Sequence, residues 1–144
     1  MAVVAALNHV AIAVRSIDAQ RRFYEDVLGL TCEGVEEIPD QQVRVAFFRI
    51  GAVRIELVEP TDPGSSVARF LEKRGPGLHH LACTVADLPA CIAALKRSGA
   101  RLIDDQPRPG AHGMTIAFLH PQSTGGVLIE LCQPQTPTPG DNSD

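Results

Sequence analysis

Large and small apolar residues alternate in nearly the same way along two stretches of the chain. HVAIAV begins at His9, and HLACTV begins 71 residues later at His80. The same spacing of 71 residues separates VAFF, which begins at Val45, from IAFL, which begins at Ile116. Self-similarity at a fixed spacing is the sequence signature of a repeated structural unit.

A third pair of segments shows where the two copies differ in length. VRIELVEP, from Val53, matches VLIELCQP, from Val127, at a spacing of 74 residues. The three extra residues fall in a turn, where RIGA of the first copy is replaced by HPQSTGG. Loops absorb insertions more easily than strands do, so the chain consists of two copies of one folding unit.

Each copy predicts a strand, a helix and three further strands. Ser16 and Asp87 are suitable helix N-caps, and Gly29 and Gly99 are suitable C-terminal glycines. Apolar stripes at helical spacing follow both caps: Phe23, Tyr24, Val27 and Leu28, then Leu88, Cys91, Ile92 and Leu95. The apolar patterns predict strands at 7–14, 31–36, 42–50 and 53–59, then at 78–85, 101–104, 114–119 and 127–132.

The segment between the copies predicts one short connecting helix. Ser65 or Ser66 would cap it, and it would close near Gly75. Polar residues, prolines and glycine dominate the C-terminal end of the chain, which is typical of a frayed tail. We expect a single domain over 1–134, with the first repeat at 7–60, the connecting helix within 61–77, the second repeat at 78–134 and a flexible tail at 135–144.

One unit alone would have a curved four-stranded sheet with a helix on one face. Its other face needs cover, and the simplest cover is the second copy, related by a pseudo-two-fold axis. We therefore predict an α+β fold of tandem βαβββ units, with a ligand cleft lined by both sheets.

Composition indicates a globular chain and excludes several classes. Of the 144 residues, 44% are apolar and 21% charged, with a formal charge of −4. An acidic chain does not suit nucleic acid, and no stretch approaches the ~20 apolar residues of a membrane span. The first residues lack the basic region of a signal peptide. We expect a cytoplasmic protein, with reduced cysteines that pack as small apolar residues.

Two histidines and two glutamates occupy equivalent positions in the copies. His9 and His80 begin the first strands, with small residues two positions on, which leaves room beside each ring. Glu56 and Glu130 lie within apolar runs, where a carboxylate is costly unless it is paired, protonated or bound to metal. Two nitrogen and two oxygen donors converging near a pseudo-two-fold axis suit a divalent metal.

The sequence gives less reason to place the other three histidines, His79, His112 and His120, in the metal site. His79 is adjacent to His80 and should face the opposite side of the strand unless a bulge intervenes, so we predict a structural or surface role. His112 and Gly113 lie in a glycine-rich loop that either closes over a ligand or is a plain turn. His120 begins the turn before the last strand and is predicted to be a turn residue.

At these residues the chain resembles the vicinal oxygen chelate superfamily and, within it, the methylmalonyl-CoA epimerase family. The resemblance covers residues 7–134. It rests on the segments LNHVAIAV, FYEDVLGL, PDQQVRVAFF, IELVEP, SSVARFLEKRG, GLHHLAC, PRPGAHG and IAFLHPQSTGGVLIELCQ. It implies a curved, incompletely closed mixed β-barrel with flanking helices.

The resemblance also implies a site and a reaction. His9, His80 and Glu130 match metal ligands, and Glu56 matches a further ligand position that is glutamine in some members. The metal would be divalent, cobalt or otherwise zinc, manganese or nickel. The substrate would be the CoA thioester of a branched malonate, contacted by His112 and Gly113. The enzyme, a homodimer by resemblance, would interconvert the C2 epimers through an enediolate that the metal stabilises.

One departure from the family bears on mechanism. Some members carry a glutamate, proposed as a base, where this chain has Val45, which cannot accept a proton. Glu56 and Glu130 come from pseudo-symmetric strands, so we predict that they form the acid/base pair, with Glu56 either a fourth ligand or a base. The alternatives are a glyoxalase, an extradiol-type dioxygenase that uses the same donor types, and a metal-free protein that binds a small ligand.

Overall fold

The computed structural model describes residues 4–134, so the predicted tail at 135–144 lies outside the described residues. Three helices accompany eight strands in the described part: α1 (Ile17–Arg22), α2 (Ser66–Arg74) and α3 (Leu88–Arg97). The strands are β1 (Val4–Ala13), β2 (Cys32–Ile38), β3 (Val43–Ile50), β4 (Val53–Pro60), β5 (Gly77–Val85), β6 (Arg108–Pro109), β7 (Met114–Leu119) and β8 (Ile129–Pro134).

All eight strands form one mixed sheet in the order β2-β3-β4-β1-β5-β8-β7-β6. Within each copy the first and last strands pair in parallel, and the other neighbours pair antiparallel. β1 and β5 join the copies edge to edge as an antiparallel pair. The sheet curls into an open half-barrel, which confirms the predicted fold class. The copies therefore share one continuous sheet, whereas we had expected two sheets facing each other.

The strand registers repeat the sequence symmetry. Ala11 of β1 is paired with Glu56 of β4, and Ala82 of β5 is paired with Glu130 of β8. Across the central pair, His9 lies opposite Ala82, and His80 lies opposite Ala11. Across three adjacent strands, Ala82 therefore lies between His9 and Glu130. In the same way, Ala11 lies between His80 and Glu56. The two alanines keep the concave face open where the four larger side chains meet.

Separate clusters of apolar side chains bury the faces of the sheet. Ile17 of α1 packs with Val14, Phe48 and Leu57 on the side of the sheet that faces α1. α3 packs equivalently in the second copy. α2 covers the other face of the first copy through Val67, Leu71 and the half-buried Phe70, which contact the cluster Ala11, Ala13, Ile38, Val43, Val45, Phe47 and Val58. Removing this much apolar surface from water provides the main driving force for folding.

Two predicted elements differ from the structure. The first helix changes after Arg22 to a wider π-helical turn over Phe23–Val27. The change of pitch leaves Val27 67% exposed, so the predicted apolar stripe is only partly buried, through Tyr24. The predicted strand at 101–104 is wrong. Leu102 makes a single bridge to Leu119, and β6 pairs with β7 in its place.

The connecting helix and the cysteines follow the sequence predictions. Ser65, not Ser66, caps α2, because its hydroxyl oxygen accepts a hydrogen bond from the Ala68 N–H at 3.0 Å. All four cysteines are free thiols. Within residues 4–134 the structure has no helix of the length and apolar character that a membrane crossing requires.

Candidate metal centre

Four ionisable side chains are buried in the concave face of the sheet. His9, Glu56, His80 and Glu130 are each exposed by no more than 9%. Among the described residues, the only other buried polar side chain is that of Ser65, which caps a helix. A folded chain does not bury charge at this cost without partners, so these side chains need an electrostatic reason to be together.

Three of the four bring ligand atoms close to one another. The Nε2 atoms of His9 and His80 lie 3.2 Å apart. Glu130 Oε2 lies 3.4 Å from His9 Nε2, and Glu130 Oε1 lies 3.9 Å from His80 Nε2. One ligand atom from each of these residues lies within 4.8 Å of the others.

Glu56 lies beside the second ring nitrogen of His9, Nδ1. Its Oε2 lies 2.9 Å from His9 Nδ1, whereas His80 and Glu130 face His9 Nε2. Glu56 and Glu130 are therefore on opposite edges of one imidazole ring. Glu56 lies outside the group of three, in the place where an acceptor would hold the Nδ1 proton of a ligating histidine.

Burial and nearby charges set the protonation of the cluster. Burial lowers the pKa of His9, but the hydrogen bond and charge of Glu56, with the charge of Glu130, outweigh burial and raise that pKa above 6.5. Burial and the neighbouring His9 and His79 hold the pKa of His80 well below 6.5. Burial raises the pKa of Glu130 to about 7. His80 is thus neutral at pH 7, the form that donates an electron pair to a metal.

The donor set fits a divalent metal ion. Imidazole nitrogen with carboxylate oxygen is a combination that zinc and related transition metals bind. Ligand atoms held at about 2.1 Å by one ion lie roughly 3.0–3.4 Å from each other. Two of the three separations in the cluster, 3.2 Å and 3.4 Å, are of this size. The ion would also neutralise the buried carboxylate, which otherwise remains costly.

The cluster lies at the end of a cavity with mainly apolar walls. Val43, Val45 and Ile116 line it together with His9, His80, Glu56 and Glu130. A second cavity of about 330 Å³ adjoins His80, and Arg69, Arg108 and Phe118 are among its walls. Val45 is 3% exposed, so the position that carries a base in some members of the resembled family is apolar wall in this chain.

Of His112 and Gly113 in the glycine-rich loop, only His112 contacts the first cavity. His112 lines the cavity and stacks against Phe47 with ring centroids 4.1 Å apart. Its backbone is left-handed at φ 55°, and its N–H donates to Glu36 Oε2 at 3.1 Å. Gly113 is exposed and is not part of the cavity wall. His120 lies in the predicted turn, where its Nδ1 accepts the Gln122 N–H.

A β-bulge brings the side chain of His79 to the site, whereas strict alternation along the strand would place it on the opposite face. The pairing of β1 with β5 skips His79, since Ala11 pairs with His80 and the next pair is Ile12 with Leu78. This β-bulge turns His79 toward the site, and its Nδ1 lies 2.8 Å from His80 Nδ1. Sequence reasoning also missed Asn8, whose Oδ1 lies 2.7 Å from His9 Nδ1. The sequence does contain one signal for both residues, because Asn8 and His79 occupy equivalent positions directly before His9 and His80.

Similarity to known proteins decides between the superfamily's branches. The model of the glyoxalase/bleomycin resistance protein/dioxygenase superfamily matches residues 8–118. The uncharacterized protein YqjC of Bacillus subtilis is 49% identical over 90% of this chain and 92% of its own. The ethylmalonyl-CoA/methylmalonyl-CoA epimerase of Cereibacter sphaeroides is 41% identical over 88% of this chain and 96% of its own. The crystal structure of methylmalonyl-CoA epimerase from Mycobacterium tuberculosis superposes with a TM-score of 0.90, at 40% identity, over 94% of this chain and 92% of that one.

The chain belongs to the methylmalonyl-CoA epimerase family. This confirms the resemblance inferred from the sequence segments, and with it the expectation of an enzyme of the epimerase class.

Proposed function

We propose that the protein is a metal-dependent epimerase that interconverts the two C2 epimers of methylmalonyl-CoA by proton transfer. His9, His80 and Glu130 would hold the divalent ion, with cobalt as the expected metal. The observation that carries the proposal is the buried cluster of these three side chains, in a chain about 40% identical to proteins named epimerases.

The barrier to this reaction is the negative charge that develops on the thioester oxygen when C2 loses its proton. A divalent ion bound at the cluster would supply Lewis-acid stabilisation of that charge. The valines and isoleucine of the cavity wall exclude water, which strengthens electrostatic interactions within the site. In the second cavity, Arg69 suits an anionic substrate that extends away from the reacting carbon, as a CoA thioester does, whereas Arg108 is paired with Asp40 and Asp104.

Glu56 and Glu130 are the proposed acid/base pair. Epimerisation requires proton removal from one face of C2 and proton return to the other. The two carboxyl groups flank His9 at opposite nitrogens, which supports an approach from two sides. Glu56 contacts His9 Nδ1 and lies outside the group formed by His9, His80 and Glu130. This position favours a role for Glu56 as a base over a role as a fourth metal ligand. Because a carboxylate bound to a metal ion loses basicity, Glu130 would exchange the C2 proton only when substrate binding loosens its contact with the ion.

The deciding experiment follows deuterium uptake at C2 of methylmalonyl-CoA in heavy water. We expect uptake and epimerisation together, loss of both on chelation and recovery of both with cobalt. Oxygen consumption with a catechol, without C2 exchange, would instead indicate a dioxygenase. A protein that purifies without divalent metal and shows no exchange after cobalt addition would indicate the metal-free binding protein.

Replacing one member of the pair separates the two proton transfers. Glu56→Gln should lower epimerisation by roughly 10²–10⁴-fold, yet still permit Glu130 to exchange the C2 proton of one epimer. Glu59→Gln is the matched control, because it removes a carboxylate from the same strand that pairs with Arg44 outside the cavity. Epimerisation by Glu56→Gln at the rate of this control would exclude Glu56 as a base.

A cytoplasmic location, a homodimer and contact of Gly113 with the substrate stay predictions. Contact of His112 with the substrate is part of the proposal, because its exposed ring lies at the wall of the cavity.

A further inference from the structure

A bulge in β1 directs Asn8 toward the ring of His9. In the pairing of β1 with β5, Leu7 lies opposite Cys83 and His9 lies opposite Ala82, so Asn8 is the extra residue. A bulged residue escapes strict alternation, and its side chain is re-aimed. The Oδ1 of Asn8 lies 2.7 Å from His9 Nδ1. An amide oxygen only accepts, so His9 Nδ1 carries the proton and donates it.

A second bulge repeats this arrangement in β5. Leu78 lies opposite Ile12 and His80 opposite Ala11, so His79 is the extra residue. Its Nδ1 lies 2.8 Å from His80 Nδ1. His79 packs against Phe70 at 5.0 Å between ring centroids, which fixes the orientation of its ring. Asn8 and His79 lie 71 residues apart, the spacing of His9 and His80.

We propose that Asn8 and His79 are a symmetric pair of positioning residues that accept the Nδ1 protons of His9 and His80 and leave both Nε2 atoms free to bind a divalent cation. This inference rests on the proposed metal site. Since a neutral imidazole has one N–H, an acceptor at Nδ1 places the lone pair at Nε2. The two Nε2 atoms face each other at 3.2 Å, next to Glu130.

The two positions differ in how much support they have. His9 Nδ1 has a second acceptor in Glu56 at 2.9 Å. Within the described residues, His79 is the sole hydrogen-bond partner at His80 Nδ1. Loss of the acceptor should therefore cost more at His79 than at Asn8. Outer partners of metal-binding histidines generally contribute about 10- to 100-fold in metal affinity.

Asn8 and His79 are equivalent residues of the two copies, so replacing each with the other gives a conservative variant that retains an acceptor. His79→Asn places the residue of the first copy in the second, and the amide oxygen occupies nearly the position of the ring Nδ1. His79→Leu has similar size without an acceptor. Both variants lose the aromatic contact with Phe70, so the comparison isolates the hydrogen bond. Asn8→His and Asn8→Leu form the corresponding pair in the first copy.

Two readouts test the inference, and one of them needs no metal. Long-range ¹H–¹⁵N NMR of the imidazole rings in the metal-free wild-type protein should show His80 as the Nδ1–H tautomer, and His79→Leu should shift it toward Nε2–H. Cobalt titration of the metal-free protein should show binding about 10- to 100-fold weaker in His79→Leu. The effect should be smaller in Asn8→Leu, and His79→Asn and Asn8→His should bind within about threefold of wild type.

The outcomes separate this inference from the proposed function. Wild-type cobalt binding that His79→Leu leaves unchanged overturns the inference alone, as does equal weakening in His79→Asn and His79→Leu. An Nε2–H tautomer at His80 in the wild-type protein overturns it whatever the variants do. A wild-type protein that binds no divalent metal contradicts the proposed function, and the tautomer measurement still decides whether His79 sets the proton position.

Discussion

The environment of each ionisable side chain at the centre differs although the residue types repeat. His9 contacts a carboxylate at each nitrogen, and the balance raises its pKa. His80 contacts other imidazoles through both nitrogens, and its pKa falls. Glu130 lies beside His9 Nε2, whereas the equally buried Glu56 shares its acceptor role at His9 Nδ1 with Asn8. One copy therefore supplies the neutral imidazole and the other the carboxylate held against His9 Nδ1.

Moving a carboxylate from position 56 to position 45 tests which side chain can act as the base. Glu56→Gln should lower epimerisation by roughly 10²–10⁴-fold, and adding Val45→Glu should recover at least about tenfold of the loss. Both positions line the same cavity, so the double variant moves a carboxylate rather than deleting it. Steady-state assay of both epimers measures the effect, and Val45→Gln with Glu56→Gln controls for size. Equal rates for the two double variants would argue against a base at either position.

The raised pKa of Glu130 gives a pH dependence. Because its pKa is about 7 in the folded chain against 4.5 ordinarily, the folded state holds the proton more tightly. Its stabilising contribution is complete below pH 4.5 and is lost as pH rises through 7. Metal-free Glu130→Gln should therefore unfold at a higher temperature than wild type at pH 8, and at a similar temperature at pH 5. Thermal unfolding with chelator present measures this, and an equal difference at both pH values would contradict it.

Helix caps and β-bulges differ in how far the sequence predicts them. Ser65, Ser16 and Asp87 cap their helices through side-chain acceptors, as the sequence indicates. The bulges at Asn8 and His79 have no comparable sequence signal, because they arise from the pairing of two strands 71 residues apart. Caps are local hydrogen bonds, whereas bulges depend on the register of a partner strand.

The cap of α2 gives a prediction at the scale of the element. Ser65→Ala should lower the free energy of unfolding by about 1 kcal/mol or more, because the Ala68 N–H loses its acceptor and Ser65 is buried. Ser66→Ala, on the exposed first residue of the helix, should change it by less than about 0.5 kcal/mol. Urea denaturation of both variants provides the comparison. Equal effects would contradict Ser65 as the cap of α2.

The eight strands of the described residues form one sheet, and the candidate metal centre lies where the two copies join. His9 lies on β1, His80 on β5 and Glu130 on β8, so a bound ion would link three adjacent strands across the junction. A ligand that binds only the folded state stabilises it by an amount that grows with the logarithm of the ligand concentration divided by its dissociation constant. Under the proposed function, a bound ion would therefore contribute both to catalysis and to the stability of the sheet.

Metal removal gives the prediction at this scale. Chelation should lower the temperature of thermal unfolding, and cobalt at about 100 times its dissociation constant should restore about 2.7 kcal/mol of stability. Glu130→Gln should respond much less to either treatment, because it lacks the carboxylate of the cluster. Calorimetry with and without chelator measures the shift. A wild-type protein insensitive to both treatments would contradict a metal that binds across the strands.

The sequence is enough to predict the repeat, the order of elements in the first copy, the caps Ser16 and Asp87 and the four buried side chains of the centre. These follow from local periodicity and from the high cost of burying a carboxylate in an apolar run. The sequence leaves the cap of α2 open between Ser65 and Ser66. It did not determine the second strand of the second copy, because 101–104 has a suitable pattern but only Leu102 finds a partner in β7. It did not show the π-helical turn after Arg22 either.

How the copies meet and which side chains surround each histidine are set by contacts between segments distant in the sequence. Edge-to-edge pairing of β1 with β5 is a contact between distant segments, and neither strand pattern specifies it. That pairing creates the two bulges, brings Asn8 and His79 to the imidazole rings and places Glu56 on the opposite side of His9 from Glu130. Residue types fix which chemistry is available, and the register between the copies fixes which atom of each residue takes part.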